Sequence, residues 1–457
     1  MTELIIISLY FGGVLAIGIL SRGRARECDD FFVAGRKGSS LFITGSLLAT
    51  VIGGSATIGV AGLGFKQGLT GVWWLLVGSI GLIFLGLFFA RKVRRLALYT
   101  LPELVAKQYD RRMALAASVL IVVSWMGVIA AQIIAAGQIL SILGMGSPTL
   151  WMVLFTIIFV TYTILGGQYA IIRTDALQAI IIFAGISGGL ALLLSRLGGW
   201  EGLQTSLPPE RFSFPLGPQF GGTELVTLIL LVGLTYVVGP DMYSRLFCAK
   251  DGRTAKVSAL WTGLLTIPLA FAITLIGMGA SALFPQISPE QAFPMAIKEV
   301  LSPLLGGIVL AALLCAVMSS ADTTLLSAST ILVVDIVGWS RPSLNRSKIL
   351  PRSRWAIVIL GICSLIVALS LKGVINALLF AYTVYTAGVT LPVIVGFFRN
   401  RLKVTPSGAL AALIGGGSAG LISKLLAVKY LDLGALLLSA VLLFLVSFID
   451  HRFRKKT

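Results

Sequence analysis

The 457-residue chain is expected to be an all-α integral membrane protein of about thirteen transmembrane helices. Three observations predict this: apolar residues make up 57% against 12% charged, mean hydropathy is +0.98, and apolar stretches of spanning length recur from Leu4 to the basic tail. A hydrocarbon core of about 30 Å takes about 20 apolar residues per helix. Backbone in lipid must satisfy its own hydrogen bonds, and a continuous apolar run does so as a helix.

The stretches fall near 4–20, 40–65, 70–90, 113–142, 148–166, 175–195, 223–244, 257–284, 301–337, 355–371, 374–398, 406–423 and 430–449. The first has no Lys or Arg before its apolar run and a basic stretch after it. That is the charge order of a retained anchor rather than of a cleaved signal peptide. No soluble domain is expected, since the longest outer connection runs only from about Arg196 to Gly222.

The net charge of +18 raises a nucleic-acid reading, and its location decides the matter. With the N-terminus outside, the inner connections hold 29 of the 36 Lys and Arg, chiefly at Arg22–Lys37, Arg91–Arg112, Arg245–Lys256, Arg341–Arg354, Arg399–Lys403 and Arg452–Lys456. Lys66, Arg196, Arg211, Lys298, Lys372, Lys424 and Lys429 remain outside. This is the positive-inside distribution of a multi-pass protein of an inner or plasma membrane, with a cytoplasmic C-terminus, and not a nucleic-acid patch. Cys28, Cys248, Cys315 and Cys363 have no metal-ligand spacing and imply no disulfide framework. The single histidine, His451, lies in the tail, so no His relay, haem or His-ligated metal is expected.

One connection carries a capping signal. In Thr100-Leu101-Pro102-Glu103, Thr100 is placed to cap a short surface helix with Glu103 at its third position.

Two spans are interrupted. The second contains Ala49-Thr50-Val51-Ile52-Gly53-Gly54-Ser55 and the seventh Tyr236-Val237-Val238-Gly239-Pro240-Asp241. Matched breaks in membrane helices point to an inverted repeat with its binding site at the breaks, although Gly-Gly in a span also serves close helix contact. Because the broken helices are five apart, the second set starts on the opposite face. The expected organisation is an accessory helix in 1–30, five-helix repeats in 31–200 and 201–403, and accessory helices with a basic tail in 404–457.

Broken helices free backbone carbonyls, which a cation or solute can use. The ninth span adds Ser319, Ser320, Asp322, Thr323 and Thr324 inside an apolar run. Together with the Ala49 to Ile52 carbonyls these oxygens suit a sodium ion. Single Ser and Thr residues in such helices also bond their own backbone. A carboxylate within a span costs several kcal/mol, which singles out Asp322. Asp175 sits nearer an inner helix end and has Arg173 as a possible ion-pair partner. For Asp241 and Asp335, also near inner ends, solvated or paired roles are expected.

Several segments resemble the sodium/solute symporter family of proline, pantothenate, choline, sialic-acid and sugar transporters. They are Phe31-Phe32-Val33-Ala34-Gly35-Arg36, Leu101-Pro102-Glu103, Gly166-Gly167 followed by Thr174-Asp175-Ala176-Leu177-Gln178, Gly239-Pro240-Asp241 with Arg245, and Met318-Ser319-Ser320-Ala321-Asp322. The resemblance covers the chain from Leu4 onward. It implies a leucine-transporter-like inverted repeat of five helices with flanking helices. It also implies a sodium site from the carbonyls of Ala49, Ile52 and Ala316 and the hydroxyls of Ser319 and Ser320. Asp175 matches an acidic residue on the inner exit route or at a second sodium. Where some relatives have Ser or Cys this chain has Asp322 and Thr323, so Asp175, Asp322 and Thr323 are candidates for a second cation or a proton. The substrate tryptophan of proline permeases is Val232 here, and their acidic residue in the first broken helix is Val51.

The expected function is sodium-coupled uptake of a small organic solute by alternating access, without enzymatic chemistry or a cofactor. Gly53 and Gly54 can present backbone N–H groups, and the half-helix from Ser55 points its positive end inward. With Asp241 read as lying past the second break, this favours a carboxylate: an amino acid, a monocarboxylate or a pantothenate-like acid. Candidate contacts are Gly53, Gly54, Ser55, Thr57, Tyr236 and Tyr382. Thr383, Tyr385 and Thr386 belong to the same stripe, which also suits packing. A proton-coupled carrier of a neutral solute and a non-transporting sensor on the same fold are the alternatives.

Overall fold

The computed structural model describes residues 2–23, 27–144, 146–340, 348–371, 373–426 and 430–454. The charges counted at Arg24, Arg26, Arg341, Arg346, Lys372, Lys429, Lys455 and Lys456 lie outside them. Among the described residues, eleven helical stretches are long and apolar enough to cross a membrane, and two of these double back, which gives the thirteen expected passes.

The stretch Pro148–Leu197 reverses at Gly167, where φ is 52° and ψ is −159°. The Tyr162 hydroxyl lies 2.6 Å from Thr174 Oγ1, whereas twelve residues of unbroken helix would separate them by about 18 Å. The Phe31 ring packs where a Cβ at Gly167 would sit, 2.5 Å away. The Gly166-Gly167 motif is therefore a turn that only glycine fits. The stretch Ser55–Arg95 reverses at 68–72, again through a glycine, Gly68, with φ 71°.

In chain order the passes are α1 (Thr2–Ser21), α2 (40–67), α3 (73–95), α4 (Arg111–Ser141), α5 (148–166), α6 (168–197), α7 (Gly222–Cys248), α8 (Gly252–Leu283), α9 (Pro303–Val337), α10 (Ile349–Ser370), α11 (Val374–Gly396), α12 (Pro406–Leu426) and α13 (Leu431–Arg454). α9, α4 and α11 are the most buried and form the centre. α1 and α13 lie at the rim, where Leu9, Leu20, Leu437 and Phe444 face outward as lipid-facing side chains do.

The connections assigned to one side touch one another. Arg36 donates to the Leu98 carbonyl at 3.0 Å, Lys250 N–H to that of Gly38 at 2.9 Å, and Arg399 to that of Gln108 at 2.6 Å. On the opposite face Lys298 donates to the Ile142 carbonyl at 2.8 Å and Glu290 accepts from Val374 N–H at 2.8 Å. The surface helix Leu101–Gln108 forms as expected, and Thr100 Oγ1 accepts from Glu103 N–H at 3.2 Å. Glu103 turns its carboxylate to Tyr99 N–H at 2.7 Å rather than to Thr100, so the reciprocal half of the capping box is displaced by one residue.

Candidate functional site

Both breaks form. The first half of α2 ends at Val51; Ile52 leaves the helical region with ψ 57°, and the chain resumes at Ser55. α7 stops at Val238, Gly239 is extended, and Pro240 starts the second half, where its missing N–H costs nothing. The freed carbonyl of Val238 accepts from the Tyr385 hydroxyl at 2.6 Å. Tyr385 of α11 thus caps the carbonyl freed at the second break.

At the first break α9 crosses α2 closely. Ser319 Oγ lies 2.7 Å from the Ala49 carbonyl and 3.1 Å from that of Ala316. Ser320 Oγ lies 2.6 Å from the Thr50 carbonyl and 3.2 Å from that of Ala316. Of the five sequence-derived cation residues, Ala49, Ala316, Ser319 and Ser320 therefore converge on one small volume, with Ile52 buried next to them. Thr50 joins through its carbonyl. Neutral oxygens brought together, with only rotatable hydroxyls as donors, are a set of hard ligands of the kind hard cations take.

One helical turn further along α9 lies a charged network. Arg245 Nη2 donates to Asp175 Oδ2 at 3.1 Å, and both side chains are 0% exposed. Ser46 Oγ donates to the same carboxylate oxygen at 2.5 Å and accepts from Arg245 Nε at 3.0 Å. Arg245 also donates to Thr323 Oγ1. Thr323 in turn lies 3.3 Å from Asp322 Oδ1. Arg245 is therefore no loop charge, as its place in the count had it, but the buried partner of Asp175. Arg173 instead stacks on Tyr169 at 4.1 Å. Asp335 is buried at the end of α9, so the solvated role expected for it does not hold, and it has no ion pair among the described residues.

Between the breaks lies a narrow cavity lined by Thr50, Val51, Ser55, Trp125, Val128, Gln132, Thr235, Tyr236, Asp241, Met242, Ser320, Thr324 and Tyr382. About 20 Å3 is open to water centres, room for one or two waters. Tyr236 and Tyr382, from α7 and α11, both face this cavity. Of the residues expected to contact the solute, Ser55, Tyr236 and Tyr382 are on this wall, and Gly53, Gly54 and Thr57 are not.

Gly54 N–H donates to Gln132 Oε1 at 2.7 Å, and a Cβ at Gly53 would lie 2.2 Å from Ser320 Oγ. The two glycines thus serve close approach to α9 and α4, and the N–H expected to face an anion is already bonded. Thr57 spends its hydroxyl on the Gly53 carbonyl at 2.9 Å. Asp241, expected past the second break, lines the cavity and stays partly accessible while Pro240 and Met242 beside it are buried. Trp125 and Gln132, one face of α4 seven residues apart, were missed. An amide in the middle of an apolar span was the available signal for Gln132.

Residues 31–416 match the family described as "SSF: Sodium:solute symporter family". The chain belongs to this family. It is 26% identical over 479 residues to a protein named sodium/glucose cotransporter 4 from Mus musculus, covering 94% of this chain and 69% of that one. It is 25% identical over 461 residues to the sodium/pantothenate symporter of Escherichia coli, covering 96% and 94%. Among solved structures, a Na+-coupled sialic acid symporter in a substrate-bound outward-open state superposes with a TM-score of 0.80 at 17% identity, covering 98% of both chains. The fold is of the leucine-transporter type, as expected. This family member is a sodium-coupled solute symporter of the plasma membrane, with Na+ as coupling ion; it is a transporter and not an enzyme.

Proposed function

We propose that sodium binds where α9 crosses the first break, and that the solute binds in the cavity between the breaks. The observation that carries this is the meeting of the Ser319 and Ser320 hydroxyls with the Ala49, Thr50 and Ala316 carbonyls. A cation there takes up the hydroxyl oxygens and carbonyls, including that of Ile52, and fixes the two helices against each other. Ser320 and Thr50 also line the cavity, so sodium binding shapes the solute site. That is the differential contact coupling requires. In this reading 31–200 and 201–403 are the two repeats, 1–30 and 404–457 flank them, and the basic face is cytoplasmic with the N-terminus outside.

The solute we propose is a small carboxylate that also carries a hydrogen-bond donor, such as an amino acid or a hydroxy acid of pantothenate type. Ser55, the Gln132 amide and the unpartnered Trp125 indole N–H supply donors, and Asp241 supplies an acceptor. A plain monocarboxylate leaves Asp241 unanswered. A purely hydroxylated solute, such as the glucose in the names of some relatives, leaves the donor wall without a charge. Asp175 is held by Arg245, and Asp322 with Thr323 is the remaining candidate for a second cation or a proton.

Radiolabelled uptake into proteoliposomes tests both parts. An inward sodium gradient should drive accumulation of amino or hydroxy acids above their monocarboxylate and amide analogues. Uptake unchanged by removing sodium would sink the coupling reading. Preference for a plain monocarboxylate or a sugar would sink the solute reading alone.

A further inference from the structure

A cleft of about 630 Å3 opens on the basic face between the end of α3, the helix Leu101–Gln108 and the segment after α11. Four cations line it, Lys92, Lys107, Arg399 and Arg401, and no carboxylate does. The two neighbouring clefts on this face, around Arg91 and Arg253 and around Lys37 and Arg173, contain Asp251 and Asp30. None of the four cations has a carboxylate within ion-pair distance among the described residues.

A second observation concerns Gln108. Its amide nitrogen donates to the Val393 carbonyl at 3.1 Å, while Oε1, on a side chain 9% exposed, has no partner. A buried acceptor without a donor keeps its desolvation penalty uncompensated, and this one belongs to the wall of the cleft.

The cleft also adjoins the lipid-facing belt. One to two turns before Lys92, Phe84, Leu87 and Phe88 are 41%, 51% and 53% exposed. Lys92 Nζ sits 5.6 Å over the Phe398 ring, and Phe89 packs on Phe397 at 4.7 Å. The floor is apolar through Leu96, Leu104, Phe397 and Phe398. An apolar track leading to unbalanced cations at the membrane boundary is the pattern that takes an amphiphilic anion.

We infer that this cleft binds the phosphate of an anionic phospholipid. Its acyl chains lie along Phe84, Leu87 and Phe88, its phosphate among Lys92, Lys107 and Arg401, and a headgroup hydroxyl donates to Gln108 Oε1. The assignment to the cytoplasmic leaflet rests on the orientation proposed above; the binding itself does not. The lipid joins parts already stitched together across the proposed repeats. Gln108 and Tyr109 reach the Val393 and Pro392 carbonyls, the latter at 2.7 Å, and Arg399 returns to the Gln108 carbonyl at 2.6 Å.

The test is native mass spectrometry of the purified protein titrated with phosphatidylglycerol and with phosphatidylcholine. The unmodified protein should retain phosphatidylglycerol in preference. Lys92 and Arg401 are exposed side chains whose loss leaves the fold alone. The double variant K92Q/R401Q should weaken retention about twenty-five-fold, at about fivefold per cation near the surface. R91Q/R253Q, at the neighbouring cleft, should change retention by less than twofold, and millimolar inorganic phosphate should leave the lipid bound. Equal loss in both double variants would reduce the effect to diffuse charge and overturn the site. So would an absence of preference for phosphatidylglycerol. Displacement by inorganic phosphate would assign the cleft to a soluble anion and overturn the lipid.

Discussion

Arg245 and Asp175 form an ion pair at 3.1 Å with neither side chain exposed, tying the second half of α7 to α6 beneath the proposed cation site. Removing one partner of such a pair leaves an uncompensated buried charge, at a cost of about 3–5 kcal/mol. Asp175→Asn and Arg245→Met should each lower the unfolding temperature in detergent and the amount of protein in the membrane. Asp175→Leu combined with Arg245→Met should recover part of the loss. Singles that unfold at the wild-type temperature would show that the pair carries no structural role.

Ser319→Ala and Ser320→Ala each delete one hydroxyl at the crossing of α9 and α2. Each is expected to raise the sodium concentration for half-maximal uptake about tenfold, which corresponds to about 1.4 kcal/mol. Solute affinity at fixed sodium should fall by a comparable factor, because coupling between binding sites is reciprocal. Sodium titrations of uptake, normalised to surface expression, provide the measurement. A loss of maximal rate at unchanged sodium dependence would contradict the assignment.

The passes, both breaks and most of the oxygens proposed for the cation were legible because each is a local property. Twenty apolar residues, a Gly-Gly or Gly-Pro interruption, and hydroxyls in an apolar run are visible in single segments. Partners were not legible. Arg173 is two residues from Asp175 and Arg245 is seventy away, yet the fold selects Arg245, because the reversal at Gly167 turns α6 back against α2 and α7. Gln132 lies on α4, far in sequence from Gly54, and its bond to the break depends on how two separate helices cross. Asp241 follows a proline that restarts the helix, and the direction of that restart decides between cytosol and cavity.

Gly53→Ala should be severe and Gly12→Ala silent. A Cβ at Gly53 meets Ser320 Oγ at 2.2 Å, whereas nothing lies within 4 Å of one at Gly12. Over-packing of this kind costs about 1–3 kcal/mol. Here the atom displaced is also a proposed sodium ligand, so sodium affinity should fall along with stability. Comparing the two variants for unfolding temperature and sodium dependence checks this; normal sodium dependence in Gly53→Ala would separate the break from the ion.

Asp322→Asn removes a carboxylate that is 1% exposed and faces Thr323 rather than a cation of its own. If Asp322 holds a second cation, the variant should reduce the sodium Hill coefficient toward one. If it holds a proton, the variant should flatten the pH dependence of uptake at saturating sodium. A variant with unchanged rate, Hill coefficient and pH profile would make the residue structural.

Gln132→Glu separates the two roles of the α4 amide. The acceptor oxygen for Gly54 N–H, now at 2.7 Å, is kept, so the break survives and expression should stay near wild type. The amide donor is lost and a negative charge is set on the cavity wall opposite Asp241. In a narrow, partly dehydrated cavity like charges repel strongly, so a carboxylate solute should bind at least tenfold more weakly. Its uncharged amide or ester analogue should bind about as before. Because the oxygens proposed for the cation are on α2 and α9, sodium dependence should change little. Measuring half-saturation for the acid and for its amide in wild type and Gln132→Glu gives four numbers. Equal weakening of both solutes would mean that the carboxylate does not face α4, and the solute would have to be oriented with its anionic end elsewhere.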